Sequence, residues 1–231
     1  MMMRFIRNNW WKILAVMLLA YVIVGGLLWE VPALPVVRQT IRNIYFHVGM
    51  WFSMMFILGL SLFYSIRYLR YFRVHDDLMA WVAVKTALVF GALGLVTGML
   101  WAYNTWGSFW VNDPKLTGAA VGMLTYLAYL VLRSSVEEHD KRARLAAVYN
   151  IFAFVLFFVF IMILPRLAEA SIHPGIDGNP ALSSGDLDPR MQKVFFPAMV
   201  GWILLSLWIF RVYARLETLH RDIVEYKENR S

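Results

Sequence analysis

The chain has 231 residues, of which 60% are hydrophobic and 16% charged, and it holds 10 tryptophans but no cysteine. Soluble domains average about 45–50% apolar and about 25% charged residues, so this composition excludes a soluble globular enzyme, a disordered chain and a disulfide scaffold. Without cysteine, the chain has no thiolate zinc site, iron–sulfur cluster or covalent c-type haem attachment. The formal net charge of +7 does not indicate a nucleic-acid partner, because membrane proteins collect such an excess in cytoplasmic loops.

Six apolar segments are candidates for membrane-spanning helices, each of which needs about 20 mainly apolar residues. They lie at 13–29, 44–66, 79–101, 117–132, 145–164 and 194–210. The first follows basic residues, as a signal peptide would, but its apolar run is long, begins at Trp10 and Trp11, and lacks a small-residue cleavage site. We therefore expect an anchor helix there and an all-α integral membrane protein with six transmembrane helices, forming a single membrane domain over 1–231.

The basic residues sort to one side of these spans. Fifteen of the 22 Lys and Arg lie in the terminal segments or in the second and fourth connections, and six lie in the other connections. Because cytoplasmic loops collect Lys and Arg, both termini are predicted to be cytoplasmic. The outward connections at 102–116 and 165–193 are rich in Pro, Gly, Asn or Trp, which mark shaped loops. A loop of about thirty residues is often functional.

Two histidines are predicted at the outer membrane level, on different elements. His47 lies one turn inside the second span, and His173 follows the fifth. His47 is either an interfacial histidine that is hydrogen-bonded to a neighbouring residue, or itself a metal ligand. Both interpretations stay open, because ionisable groups in a membrane are costly and often functional. Two imidazoles at one level can fill both axial positions of a haem iron. The other histidines adjoin charges on the cytoplasmic side, where solvated residues are expected: His75, His139 and His220.

Tryptophans crowd the loop at 102–116 and its approach. Trp101, Trp106 and Trp110 lie within ten residues, with Gly107 between them. One reading is an aromatic belt at the membrane interface. The other is a stacking surface for a flat apolar macrocycle, which the backbone at Gly107 can approach closely. Asp113 is either a ligand contact or the cap of the next helix, with Pro114 as its first residue.

Two outer basic residues are candidates for neutralising carboxylates such as haem propionates. Arg42 precedes His47 by five residues, and Lys115 ends the tryptophan-rich loop. Charge-assisted pairs with carboxylates are the strong hydrogen bonds of such sites. Each residue alone is better explained as a snorkelling side chain at the interface.

The segment Trp106-Gly-Ser-Phe-Trp110-Val-Asn-Asp113-Pro-Lys-Leu-Thr117 resembles the WWD motif, roughly W-G-x-x-W-x-W-D-x-[RK]-x-T. That motif belongs to a haem-handling family of cytochrome c maturation, cytochrome c maturation protein C (CcmC/CcsA-like). The resemblance extends from about Ile41 to Met191 and includes the segments around both histidines. The chain departs from the motif at Asn112, where the family usually has a third tryptophan, and at Lys115, where arginine is common.

The resemblance implies a haem-binding, non-enzymatic protein of the bacterial inner (cytoplasmic) membrane. Such proteins hold non-covalent haem b at the outer face and pass it to a periplasmic, membrane-anchored haem chaperone. An ATP-binding cassette complex of ATPase and permease subunits and a small single-span subunit are the implied partners. The residues that match as the haem site are His47 and His173 as axial ligands, with Trp101, Trp106, Gly107, Trp110, Asp113, Arg42 and Lys115 around them.

Four alternatives remain from the residues alone. One is a structural scaffold subunit that uses its tryptophan-rich loop to bind partner proteins. A lyase or oxidoreductase needs an acid/base pair or a second redox centre, and neither is visible. A b-type haem electron carrier needs histidine pairs near both membrane faces, whereas the cytoplasmic histidines lie in loops. A permease for haem or another small molecule needs a polar path through the spans, which are mostly Leu, Val, Phe and Met.

Overall fold

A computed structural model of the chain describes residues 2–32, 38–168, 171–173, 187–228 and 230, without the side chains of 2–7 and 38. Every regular element within these ranges is helical. A 3-10 turn, Arg38–Asn43, leads into the second helix. The long helices are α1 (Met2–Leu28), α2 (Ile44–Tyr71), α3 (Val74–Trp106), α4 (Pro114–Ser134), α5 (His139–Phe158) and α6 (Pro189–Glu228).

The described residues contain six helical stretches that are long and apolar enough to cross a membrane, which confirms the predicted number of spans and the all-α fold. Most run well beyond the apolar segments; α6, for example, has 40 residues. Hydropathy locates only the part of a helix inside the hydrocarbon core, about 30 Å or 20 residues. Polar residues beyond that core keep helical backbone because the intrahelical hydrogen bonds continue without interruption.

The tryptophan-rich loop is shorter than the predicted 102–116. Residues 102–106 continue α3, and α4 begins at Pro114, so the connection consists of residues 107–113. The apolar periodicity is lost at the aromatic residues, although the helix continues until Gly107 ends it. The second outer loop, predicted at 165–193, is also shortened, since 165–167 and 189–193 are helical. Residues 169–170 and 174–186 of that loop lie outside the described residues.

The end of α5 changes its helical register before the chain leaves the bundle. A π-helical turn, Val159–Ile163, joins α5 to a last short turn, Leu164–Leu167. Pro165 lacks the N–H that would bond the carbonyl of Ile161 in an α-helix. Gly118 of α4 faces this turn, and a Cβ at Gly118 would collide with the carbonyl oxygen of Phe160. The missing side chain therefore lets α4 approach the π turn closely.

The core lies around α2, which packs against α3, α5 and α6. Fully buried apolar side chains such as Met54, Ile57 and Phe157 fill the space between α2, α3, α4 and α5. A small polar network ties α2 to α5, because the side-chain nitrogen of Asn150 donates to Ser61 Oγ (3.0 Å) and Ser65 Oγ (2.8 Å). Such interhelical hydrogen bonds replace the hydrophobic driving force that is missing between helices in lipid.

A buried ion pair fixes the opposite end of the bundle from the tryptophan-rich connection. Arg133 at the end of α4 donates to both carboxylate oxygens of Asp77 in α3, at 2.7 and 2.6 Å. Both side chains are less than a tenth exposed. The Arg133 guanidinium also lies 5.0 Å from the ring centre of Trp81. Since a buried charge is costly without its partner, this pair sets the alignment of α3 against α4.

Candidate functional site

A cavity of about 460 Å³ opens where α3 ends and α4 begins, and its walls come from α2, α3, α4, the end of α5 and the start of α6. Its volume lies in the range of small-molecule and cofactor pockets, about 300–1,000 Å³. Six of the nine predicted site residues line it together: His47, His173, Trp101, Trp106, Trp110 and Lys115.

His47 is held by the neighbouring helix α3. Its Nδ1 lies 2.9 Å from the carbonyl oxygen of Gly94 and 3.3 Å from Thr97 Oγ1. A carbonyl oxygen only accepts, so Nδ1 donates and Nε2 is the nitrogen left with a lone pair. This is the usual arrangement behind a metal-ligating histidine, in which the second nitrogen fixes the tautomer and the ring orientation.

The space for His47 is created by a glycine on α3. A Cβ built on Gly98 would lie 2.7 Å from Cε1 of His47, and one on Gly94 would lie 2.9 Å from Cε2 of Trp51. The two glycines are four residues apart, so they face the same side of α3 and let α2 approach closely. The Gly94-x-x-x-Gly98 pattern therefore positions the predicted ligand.

We expect Gly98→Ala to displace the His47 ring, because the new methyl group would occupy the position of the ring edge. Binding of the haem that the sequence predicts should weaken about tenfold, as is typical when a ligand loses its orienting contact. Haem titration followed by absorption measures the effect. Gly59→Ala on α2 is the matched control, since a Cβ there meets nothing within 4 Å. Equal haem affinity in both variants would contradict this account of Gly98.

His173 lies on the short described segment 171–173, beside the tryptophans. Its ring centre is 6.5 Å from that of His47, with the ring planes at 36°. It is 5.6 Å from the ring of Trp101 and 6.4 Å from that of Trp106. The fold therefore brings the two outer histidines together from elements more than 120 residues apart in sequence.

The three tryptophans differ in how they contribute to the cavity wall. Trp101 is 8% exposed and meets Trp106 edge to face, with ring centres 4.8 Å apart. Trp110 is 43% exposed. The cavity wall thus contains a buried indole ring at Trp101 and a much more exposed one at Trp110.

Asp113 does not line the cavity; it connects two elements that do. One carboxylate oxygen accepts from the backbone N–H of Lys115 (2.8 Å), which caps α4. The other accepts from Ser171 Oγ (2.8 Å) and from the backbone N–H of Ile172 (3.0 Å). The N–H of His173 donates to Ser171 Oγ in turn, at 3.2 Å. Asp113 is 1% exposed, so a single buried carboxylate ties the histidine-bearing segment to the start of α4.

Gly107 and Arg42, which were predicted as site residues, also lie outside the cavity lining. Gly107 ends α3 in the left-handed region, at φ 78°, and donates its N–H to the carbonyl of Tyr103. Arg42 donates to the side chain of Gln39 and to the carbonyl of Gly26, both at 2.9 Å. Arg42 therefore ties the 3-10 turn to α1.

Several lining residues were missed by the sequence analysis as members of a site. Arg166 joins Lys115 in the cavity wall, and Asn43, Trp51 and Met191 complete other parts of it. Only Arg166 carried a usable signal, as an outward basic residue just after the fifth span. The others depend on how the helices pack, which local patterns do not reveal.

Two imidazoles lie close together in the cavity wall. The part of the chain that the structure describes contains no cluster of three or more His, Cys, Asp or Glu suited to a metal ion. A metal held by these two imidazoles needs further ligands, which a non-protein group can supply. A porphyrin meets that requirement, because it supplies four nitrogens in a plane and leaves two axial positions open.

The fold defines a multi-pass membrane protein with a tryptophan-walled cavity at one end of its helical bundle. The family model described as heme exporter protein C matches residues 2–229, and the chain belongs to that family. This confirms the resemblance noted in the sequence. Together with the six spans, it identifies a multi-pass protein of the bacterial inner membrane.

Individual relatives agree with the family match. Heme exporter protein C of Paracoccus denitrificans is 29% identical over 224 residues, covering 90% of this chain and 87% of the relative. Heme exporter protein C of Rhodobacter capsulatus is 27% identical, covering 88% and 85%. Cytochrome c biogenesis protein CcsA of Prochlorococcus marinus is 34% identical over 83 residues, which is 36% of this chain and 26% of that protein.

Proposed function

We propose that the chain holds haem in the cavity between His47 and His173 and hands it to a membrane-anchored haem chaperone on the same side of the membrane. A haem-handling role in cytochrome c maturation follows from the family. The handover, the ligands and the non-covalent b-type state of the haem are the further steps of the proposal. The observation that carries it is the convergence of two imidazoles inside one tryptophan-walled cavity.

The spacing of the two histidines supports axial ligation of one iron. Nitrogen ligands bind transition metals at about 2 Å. A metal between two imidazole nitrogens therefore separates the ring centres by about 6 Å, and the ring centres of His47 and His173 are 6.5 Å apart. Because the chain has no cysteine, no thioether bond can attach the porphyrin, as suits a protein that must release it.

The charges at the cavity favour a ligand with carboxylates. Lys115 and Arg166 both line it, and propionates at the porphyrin edge are strong partners for such cations. Arg42 remains a predicted propionate partner, and its bonds to Gly26 and Gln39 would have to exchange for that role. Of the two arginines, Arg166 is the better placed to pair with a propionate, because it lines the cavity and Arg42 does not. Its planar guanidinium group matches a carboxylate.

Release is proposed to begin at His173. His47 sits within α2 and is held by the backbone of α3. His173 lies outside any helix and depends on Ser171 and Asp113 for its position. Moving a non-helical segment costs fewer hydrogen bonds than moving a packed helix. The ligand on this segment is therefore the one that loosens when haem leaves.

Two features favour loading at one face over the alternatives. Below the cavity, buried apolar side chains such as Met54 and Leu58 fill the described part of the bundle, which favours loading at one face over passage through the membrane. His75 and His139 are separately exposed, with 66% and 44% of their side chains accessible, and do not form a pair for a second haem. A non-catalytic role fits these features.

The proposed assembly keeps both termini cytoplasmic and treats 1–231 as one membrane domain. The basic residues then lie in the cytoplasm, and the cavity faces the periplasm. The proposed partners are the periplasmic haem chaperone, an ATP-binding cassette complex and a small single-span subunit. The heme exporter family name supports membership in a larger complex.

Haem transfer in a defined system tests the function. The haem-loaded protein in lipid nanodiscs is mixed with the purified haem chaperone, and the absorption of each is measured after separation. We expect the chaperone to gain haem as the membrane protein loses it. Apomyoglobin is the control acceptor, since it takes haem that merely dissociates. If apomyoglobin gains haem as fast as the chaperone, the chain binds haem but does not hand it over specifically.

A further inference from the structure

The end of the bundle opposite the haem cavity carries a second groove, which we call the arginine groove. It has a volume of about 530 Å³ and is lined by Phe63, Ile66, Arg67, Arg70, Tyr71 and Arg73. We propose that the arginine groove binds the phosphate headgroup of an anionic phospholipid in the membrane leaflet on that side. This site is separate from the haem cavity and does not depend on the proposed function.

Two guanidinium groups of the groove converge on one ring. The Cζ atoms of Arg70 and Arg73 lie 5.2 and 5.1 Å from the ring centre of Tyr71. Neither arginine forms an ion pair with a carboxylate of the described residues, whereas Arg67 lies 3.5 Å from Asp76 Oδ1. Two like charges against one ring repel each other. An anion that pairs with both guanidinium groups offsets that repulsion, and a phosphate oxygen pair matches the planar guanidinium fork.

The apolar half of the groove identifies the source of the phosphate. Phe63 and Ile66 are 52% and 50% exposed, and they precede the arginines along α2, toward the middle of the membrane. A phospholipid has the same order, with its acyl chains toward the middle and its phosphate at the surface. Basic pockets at the ends of membrane helices recognise anionic lipid headgroups in this way. Free phosphate would leave the apolar half unused.

A tight turn holds the groove in shape. Phe72 adopts the left-handed conformation at φ 52°, and its N–H donates to the carbonyl of Tyr68 at 2.7 Å. This turn reverses the chain between α2 and α3 and brings Arg73 beside Arg70. A left-handed conformation is costly for a residue other than glycine. The guanidinium of Arg144 lies 5.3 Å from the Phe72 ring and packs against the outside of the turn.

Native mass spectrometry of the detergent-purified full chain tests the proposal. The protein is titrated with phosphatidylglycerol or with phosphatidylcholine of the same acyl chains, and the lipid-bound fraction gives an apparent dissociation constant. The wild-type protein should prefer phosphatidylglycerol. Arg70→Gln/Arg73→Gln should weaken that binding about tenfold, because each basic residue at an anionic surface adds to the affinity. Phosphatidylcholine binding should change little.

The control removes two charges from exposed positions on α6, in the variant Arg215→Gln/Lys227→Gln. It should keep the wild-type affinity for phosphatidylglycerol. The proposal is overturned if the two double variants lose affinity equally, or if Arg70→Gln/Arg73→Gln loses none. It is also overturned if inorganic phosphate displaces the lipid as readily as phosphatidylglycerol itself, which would indicate a free-anion site. Should the groove variant fail to fold, Arg73→Gln alone carries the comparison, with an expected smaller loss.

Discussion

His47→Ala and His173→Ala should each reduce haem affinity by about 100-fold and leave the remaining haem with a single protein ligand. Loss of an outer partner of a metal ligand already costs 10–100-fold in affinity, so loss of the ligand itself should cost at least as much. The wild-type absorption spectrum should be that of iron with two nitrogen axial ligands. In each variant it should change to that of five-coordinate iron, and imidazole added to the buffer should restore the six-coordinate form.

The control is His75→Ala, at the far end of the bundle and largely exposed. It should bind haem with the wild-type spectrum and affinity. Unchanged spectra in both cavity variants would rule out the assignment of the axial ligands. A changed spectrum in only one would indicate that the iron has one protein ligand, and that the second histidine serves another purpose in the cavity.

Asp113→Ala should weaken haem binding about tenfold by releasing His173, even though Asp113 does not line the cavity. The substitution removes the acceptor for Lys115 N–H, Ser171 Oγ and Ile172 N–H together. Each buried donor left without a partner costs about 1–3 kcal/mol. The spectrum should therefore shift toward the form seen in His173→Ala, while the His47 bond remains. Asp113→Asn, which keeps one acceptor oxygen, should show a smaller shift.

Asp188, which unlike Asp113 lines the cavity itself, serves as the control for loss of a helix cap. Like Asp113 it precedes a proline at the start of a helix, and its Oδ1 accepts from the backbone N–H two residues later, at 2.8 Å. Its described side-chain bonds run to Arg190 and not to residues 171–173. Asp188→Ala should therefore disturb the start of α6 without a change in axial ligation. If both variants alter the spectrum in the same way, the role of Asp113 is capping alone.

The sequence predicted the spans because they depend on local composition. It predicted that the two histidines lie at the same membrane level because that depends only on the order of the spans. It left the role of Asp113 open between a cap and a ligand contact. The cap follows from the Asp-Pro pair, but the bonds to Ser171 and Ile172 join residues almost sixty positions apart. No local pattern specifies such a contact. Arg42 shows the same limit, since its position near His47 in sequence does not determine where a long side chain turns.

The glycines of α3 show what the packing adds to the pattern. The sequence analysis assigned no role to Gly94 or Gly98. The structure gives each a physical reason, because a side chain at either position would occupy the space of Trp51 or His47. That reason exists only once α2 and α3 are placed against each other. The sequence alone does not show which neighbouring side chain packs against a glycine in an apolar helix.

The π turn at Val159–Ile163 has a consequence for chain length. A π turn accommodates one more residue than the α-helical turn it replaces, so it acts as a single-residue insertion within the fifth span. If the same residues formed a continuous α-helix instead, the extra residue would rotate everything beyond it by about 100°. Arg166 would then turn away from the cavity that it now lines, and the segment that carries His173 would leave the bundle in a different direction. The π turn therefore sets the direction in which the residues between the fifth span and His173 leave the helix, in addition to the number of those residues.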